Sequence, residues 1–168
     1  MKEKRREACV LFLDDGFGAK EAPQKLIAAG FRVVSFEEVF QTRDGKKREK
    51  VKDPEVIRHC SKKRRVLFTT DKKILFAWAD VIVHTDIAII ATESNVSDPS
   101  VWIGAIIKAK AKIERFARKF PRPSFACLSR SGELHRKTHV TVEWINRSSQ
   151  NGQGAKEGQE PQLVSVKV

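Results

Sequence analysis

Only three cysteines occur in 168 residues, Cys9, Cys60 and Cys127, and no two of them form a CxxC pair. Such spacing supplies neither a disulfide framework nor a thiolate zinc site. Tyrosine is absent, and the ten phenylalanines fall mostly in core-like patterns, so no aromatic platform for stacking bases is indicated. His59, His84, His135 and His139 show no metal-ligand spacing. Long hydrophobic runs are also missing: the most apolar stretch, residues 87–91, has strand length, against the roughly 20 residues of a membrane span. The N-terminal residues 1–6 are basic, but the apolar run that follows, 8–13, is too short for a secretory signal and ends in Asp14-Asp15. A cytoplasmic protein without membrane association is expected.

What the chain has in excess is positive charge. Lys plus Arg number 33 against 21 Asp plus Glu, a formal net charge of +12, and charged residues make up 32% of the whole. The apolar fraction of 40% is close to ordinary globular usage. The length suits one domain with a tail, not two full domains. A soluble protein this basic attracts polyanions, which makes nucleic acid the first partner to consider.

Hydrophobic patterning predicts an α/β fold. Residues 8–13 form a continuous apolar run, as in a strand covered on both faces of a parallel sheet. A helix is predicted over 19–29, stopped by Gly30, and a second strand over 31–36. This strand–helix–strand start is the signature of a parallel sheet. Asp53-Pro54 reads as a helix start, residues 66–70 as a third strand, 72–79 as a helix and 87–91 as a fourth strand. A single long helix is expected from Pro99 to about Phe120, then a fifth strand over 124–128 and a hairpin partner over 133–142. The domain is placed at 1–146. The stretch 147–168 is rich in Ser, Gln, Gly and Glu and reads as a polar, disordered tail.

The chemistry is sought among the minority acids. Asp14 and Asp71 follow predicted strands at the edge where open parallel sheets bind ligands, and Asp53 opens a helix leading back into the sheet. Clustered carboxylates repel unless a cation compensates, so a shared hard metal is one reason to gather them. The alternative is that Asp53 and Asp71 are helix caps and Asp14 a turn former.

The segments Phe12-Leu13-Asp14-Asp15, Ala28-Ala29-Gly30-Phe31-Arg32-Val33-Val34, Asp53-Pro54-Glu55-Val56-Ile57 and Val66-Leu67-Phe68-Thr69-Thr70-Asp71-Lys72-Lys73 occur in an order that resembles the PIN-domain ribonucleases, most closely a small bacterial branch related to toxins of toxin–antitoxin systems. The resemblance covers roughly residues 8 to 140. It implies a PIN-like fold in which Asp14, Asp53 and Asp71 hold Mg2+ or Mn2+, Asp15 is a fourth ligand or a turn residue, and Thr69 orients Asp71. It implies a metal-dependent endoribonuclease, in which a metal-activated water attacks an RNA phosphodiester in line. An antitoxin protein and a second copy of the chain would be partners. The sequence departs from that pattern at Lys72-Lys73, where many relatives carry another acid, and it has no clear equivalent of a further helical acid. Glu37 or Glu38 is the candidate substitute, with a helix-start role the competing reading.

The loop from Arg43 to Lys52 carries six basic residues in ten, and Arg43, Lys46, Lys47, Arg48, Lys50 and Lys52 are the candidate RNA-binding residues beside Asp53. The run Lys62-Lys63-Arg64-Arg65 precedes its strand, so it is expected at the opposite end of the sheet and to matter less for substrate. Two rival readings stand beside the nuclease. One keeps a PIN-like fold without catalysis, as an RNA- or partner-binding module. The other is a receiver-like signalling domain with Asp14-Asp15 as its acidic pair and Asp53 as phosphoacceptor, although Asp53 follows a Lys-rich loop instead of ending an apolar strand.

Overall fold

The computed structural model describes residues 9–18, 20–94, 98–119 and 121–136, together with the backbone of 166–167. Five strands run parallel: β1 (Val10–Leu13), β2 (Arg32–Ser35), β3 (Val66–Thr69), β4 (Ala88–Thr92) and β5 (Ser124–Leu128). β6 (Leu134–Arg136) adds antiparallel to β5, and a two-residue strand, β7 (Val166–Lys167), pairs antiparallel with β6. The order across the sheet is β2-β1-β3-β4-β5-β6-β7. The remainder of the expected last strand, to residue 142, and the expected tail up to 165 lie outside the described residues.

Alternation within the strands builds two cores. Leu11, Leu13, Val66, Phe68, Ala88 and Ile90 face one side, against α1 (Glu21–Ala28), α6 (Pro99–Lys108) and α7 (Lys110–Lys119). Phe12, Leu67, Ile89 and Phe125 face the other, under α3 (Asp53–Lys62) and three shorter helices, α2 (Phe36–Val39), α4 (Ile74–Ala77) and α5 (Ala79–Val83). Both faces of the central strands are therefore covered, which is why their sequences read as unbroken apolar runs. Each fully buried Leu, Ile or Phe contributes about 1.5–3 kcal/mol of transfer free energy.

Gly30 ends α1 as predicted: it sits at φ 82, and Phe31 N–H bonds the Leu26 carbonyl at 3.0 Å across it. Two expected helices are divided. The helix from Pro99 is interrupted at Ala109, although backbone bonds from Ala109 to Ala105 and from Ile113 to Ala109 continue across the break. The helix over 72–79 is two short turns meeting at Trp78, whose φ of −126 leaves the helical region.

Candidate functional site

In a parallel sheet of order 2-1-3-4-5 the connections leave β1 in opposite directions, so the carboxyl ends of β1 and β3 flank the crevice where such sheets bind ligands. Asp14 directly follows β1. Its N–H donates to the Phe68 carbonyl at 3.0 Å, extending the β1–β3 ladder by one residue and fixing the carboxylate at this crevice. A 3-10 turn (Asp15–Phe17) then carries the chain away, with Asp14 Oδ1 accepting from Asp15 N–H at 2.9 Å. The turn presses against the β3 exit: a Cβ on Gly16 would lie 2.9 Å from Thr70 Oγ1.

Thr69, at the end of β3, is fully buried and ties two acids together. Its hydroxyl donates to Asp14 Oδ2 at 2.9 Å and accepts from Asp71 N–H at 3.0 Å. Asp71 Oδ1 in turn accepts from Lys73 N–H at 2.8 Å. Asp53 occupies the first turn of α3, but α3 has no side-chain cap; the Asp53 carboxylate instead accepts from Trp78 Nε1 at 2.9 Å. The purely capping role weighed for Asp53 is therefore not the one it plays, whereas Asp71 does serve its own turn.

The half-buried Asp14 carboxyl titrates above its ordinary range. Burial is the main cause; the hydrogen bonds from Asp15 and Thr69 oppose it, while the negative fields of Asp53 and Asp15 add to it. Asp14 and Asp53, 39 positions apart in sequence, thus come close enough to repel. Asp15 points to a cation of the protein itself, with Lys47 Nζ 2.5 Å from its Oδ1.

The oxygen donors at this edge suit Mg2+ or Mn2+. Yet among the described residues no group of three His, Cys, Asp or Glu side chains is placed to hold a metal ion. The acids share an edge without forming a closed ligand set, and a shared cation would require the exposed Asp53 and Asp71 side chains to turn inward.

The basic loop is more ordered than its sequence suggests. Gln41 and Lys47 form a β-bridge, and Thr42 closes a turn onto Lys46. Three of its six cations face acids: Lys46 lies 3.8 Å from Asp44, Lys47 holds Asp15, and Arg48 grips Glu55 with two bonds of 2.9 and 3.2 Å. Arg43, Lys50 and Lys52 are exposed on the same loop. Glu38 closes a capping box with Ser35 at the start of α2, which accounts for it as a helix-start acid. Sequence reasoning missed Trp78 as a partner of Asp53 and Lys47 as a partner of Asp15, contacts that no local pattern signals. No helix among the described residues is long and apolar enough to cross a membrane. Comparison with known protein families, curated proteins and solved structures finds no match to the chain.

Proposed function

We propose that the protein is a metal-dependent endoribonuclease on a PIN-like fold, with Asp14, Asp53 and Asp71 as metal ligands, Asp15 as an additional acid and Thr69 as a positioning residue. The observation that carries this reading is the Thr69 bridge at the sheet's switch point, which couples Asp14 to the Asp71 turn while Asp53 adds its field to a half-buried carboxylate. Such like-charge crowding is relieved by a divalent cation. Mg2+ or Mn2+ bound there would supply charge neutralisation at a scissile phosphate and a more acidic water.

The chain's own contributions follow from its contacts. Thr69 holds Asp14 Oδ2 in one orientation, and the Phe68 carbonyl fixes the backbone beneath it. Because burial raises the Asp14 pKa, protons compete with a cation for this carboxyl, and activity falls as the solution is acidified. The exposed Arg43, Lys50 and Lys52 lie on the loop leading to Asp53, where they would hold phosphates without reading bases. The resemblance extends the proposal to a toxin of a toxin–antitoxin pair, with an antitoxin protein and a second copy of the chain as partners.

A second reading, a non-catalytic PIN-like RNA-binding module, is favoured by the internal partners of the acids: Lys47 on Asp15 and Trp78 on Asp53. The test between the two is cleavage of labelled RNA by the full chain with Mg2+, with Mn2+ and with chelator, beside Asp14→Asn and Asp71→Asn. Cleavage by wild type alone, abolished by chelator, supports the nuclease. Equal cutting by wild type and variants, or none at low salt, overturns it.

A further inference from the structure

The amino ends of the parallel strands carry a second charged surface. With strands of four or five residues at about 3.3 Å each, this edge lies roughly 13–16 Å from the acids across the sheet. A cavity of about 610 Å³ opens there, lined by Arg32, Lys62, Lys63, Arg64, Arg118 and Arg122, and among the described residues no carboxylate lines it. A second cavity of about 460 Å³ shares Val10, Arg32 and Lys63 with the first and adds Arg65; a third of about 500 Å³ shares Lys62 and adds Arg58. The three adjoin through these shared residues, and the basic groove they make is bordered by Asp80 in the third cavity.

The cations of this groove are held differently from those of the 43–52 loop. Among the described residues, Arg32, Lys62, Lys63 and Arg118 form no ion pair, and Arg64 reaches only Asp86, at 3.6 Å. Arg122 is half-buried, its guanidinium donating to the carbonyls of Asp86 at 3.1 Å and Ala117 at 3.4 Å. Burial works against its charge, and an anion in the cavity would offset that. Arg64 sits at φ 52, in the position after α3 where glycine is the unstrained residue, with Arg65 N–H bonded to the Cys60 carbonyl at 2.9 Å across it.

We infer that this groove is a docking track for the sugar–phosphate backbone of a single-stranded nucleic acid, separate from the acidic edge. The cations come from β2, the end of α3, α7 and the segment before β5, and their number matches several phosphates of a strand, not one compact phosphate. The 610 Å³ cavity, with Cys9, Val10, Val66 and Ala117 between its cations, offers no aromatic or large apolar anchor of the sort a protein partner would use; Phe31 and Ile27 line only the adjoining 460 Å³ cavity. Six cations on one cavity, with no lining carboxylate among the described residues, fit sequence-independent phosphate contact.

The test is fluorescence-anisotropy titration of the full chain with a labelled 2′-O-methyl RNA 12-mer in chelator, so that binding is read without cleavage. Arg32→Ser/Lys62→Ser/Lys63→Ser is compared with Lys46→Ser/Lys50→Ser/Lys52→Ser, all six residues being exposed. Loss of three phosphate contacts is expected to weaken binding at least about tenfold at low salt and to reduce the slope of log affinity against log salt by about 2. The loop variant, which removes phosphate contacts at the acidic edge, is expected to weaken binding by less than the groove variant. Arg64→Gly/Arg118→Ser repeats the comparison with lining cations that the triple variant leaves intact, should that variant not fold. Wild-type binding by the groove variants, a larger loss in the loop variant, or displacement of the oligonucleotide by poly-glutamate as readily as by unlabelled RNA would overturn the inference. Because no cleavage is measured, failure here leaves the nuclease proposal standing, and failure of that proposal leaves this one.

Discussion

Replacing Thr69 by valine keeps the shape of a fully buried side chain and removes only its hydroxyl. Two bonds are lost, the donation to Asp14 and the acceptance from Asp71 N–H. A hydrogen bond to a charged group contributes about 1.5–3 kcal/mol and a neutral one about 1 kcal/mol. The added methyl returns about 0.8 kcal/mol. The net cost at pH 7 is then about 2–3 kcal/mol, or a fall in Tm of roughly 4–12 °C for a chain of this size. The pH dependence identifies the mechanism. Asp14 already titrates above its ordinary value in the folded protein, so the native state binds more protons than the unfolded chain, and the stability from this group falls as pH rises through its folded pKa. Without the Thr69 donor that pKa moves further up. The penalty is therefore expected to be smaller at pH 4 than at pH 7, because protonation of Asp14 weakens the bond that the hydroxyl donates to it. Urea unfolding of wild type, Thr69→Val and Thr69→Ser at both pH values measures this, with serine expected to restore most of the loss. A valine variant as stable as wild type, or a penalty independent of pH, would refute the reasoning.

Two further predictions concern the opposite edge. Arg64→Gly removes the steric cost of a side chain in the left-handed region and its exposed contact to Asp86, so stability is expected to rise by about 1 kcal/mol, read as a Tm increase of roughly 2–4 °C; a lower Tm would contradict the strain argument. The Cys9 thiol is pushed up to about 11, chiefly by burial, with Glu114 adding to the shift, so at pH 8 about one molecule in a thousand carries the thiolate. Reaction of Cys9 with a thiol-specific disulfide reagent is expected to be far slower than in the urea-unfolded chain, and equal rates would show that the site is open.

Much of this architecture can be read from particular residues. The runs 8–13 and 66–70 announce covered parallel strands because both of their faces are apolar, and Gly30 marks the end of α1 because its αL position excludes most other residues. The break at Ala109 has no proline or glycine to signal it, and the division of the 72–79 helix falls at Trp78, whose indole is drawn to Asp53 on another helix. Long-range partnerships were equally hidden. Lys47 was legible as a cation on a loop, but its contact with Asp15 spans 32 positions, and the Thr69–Asp14 bond spans 55. The Lys62-to-Arg65 run was expected at the opposite end of the sheet from the acids, and it lies there; that it joins Arg32, Arg118 and Arg122 depends on how β2, α7 and the segment before β5 come together in space.

The central claim is that Asp14 belongs to a divalent-cation site, and Mn2+ uptake tests it without any assumption about the RNA. Titration of Mn2+ into the 168-residue chain, with free ion read by electron paramagnetic resonance, is compared for wild type, Asp14→Asn and Lys47→Ala. Loss of an outer hydrogen-bond partner alone typically costs a metal site about tenfold or more in affinity, so loss of a ligand is expected to cost at least that. The account predicts one Mn2+ bound by wild type, uptake weakened at least about tenfold in Asp14→Asn, and tighter uptake in Lys47→Ala as Asp15 is released from its ion pair. Equal uptake by wild type and Asp14→Asn, or none by wild type, would contradict it.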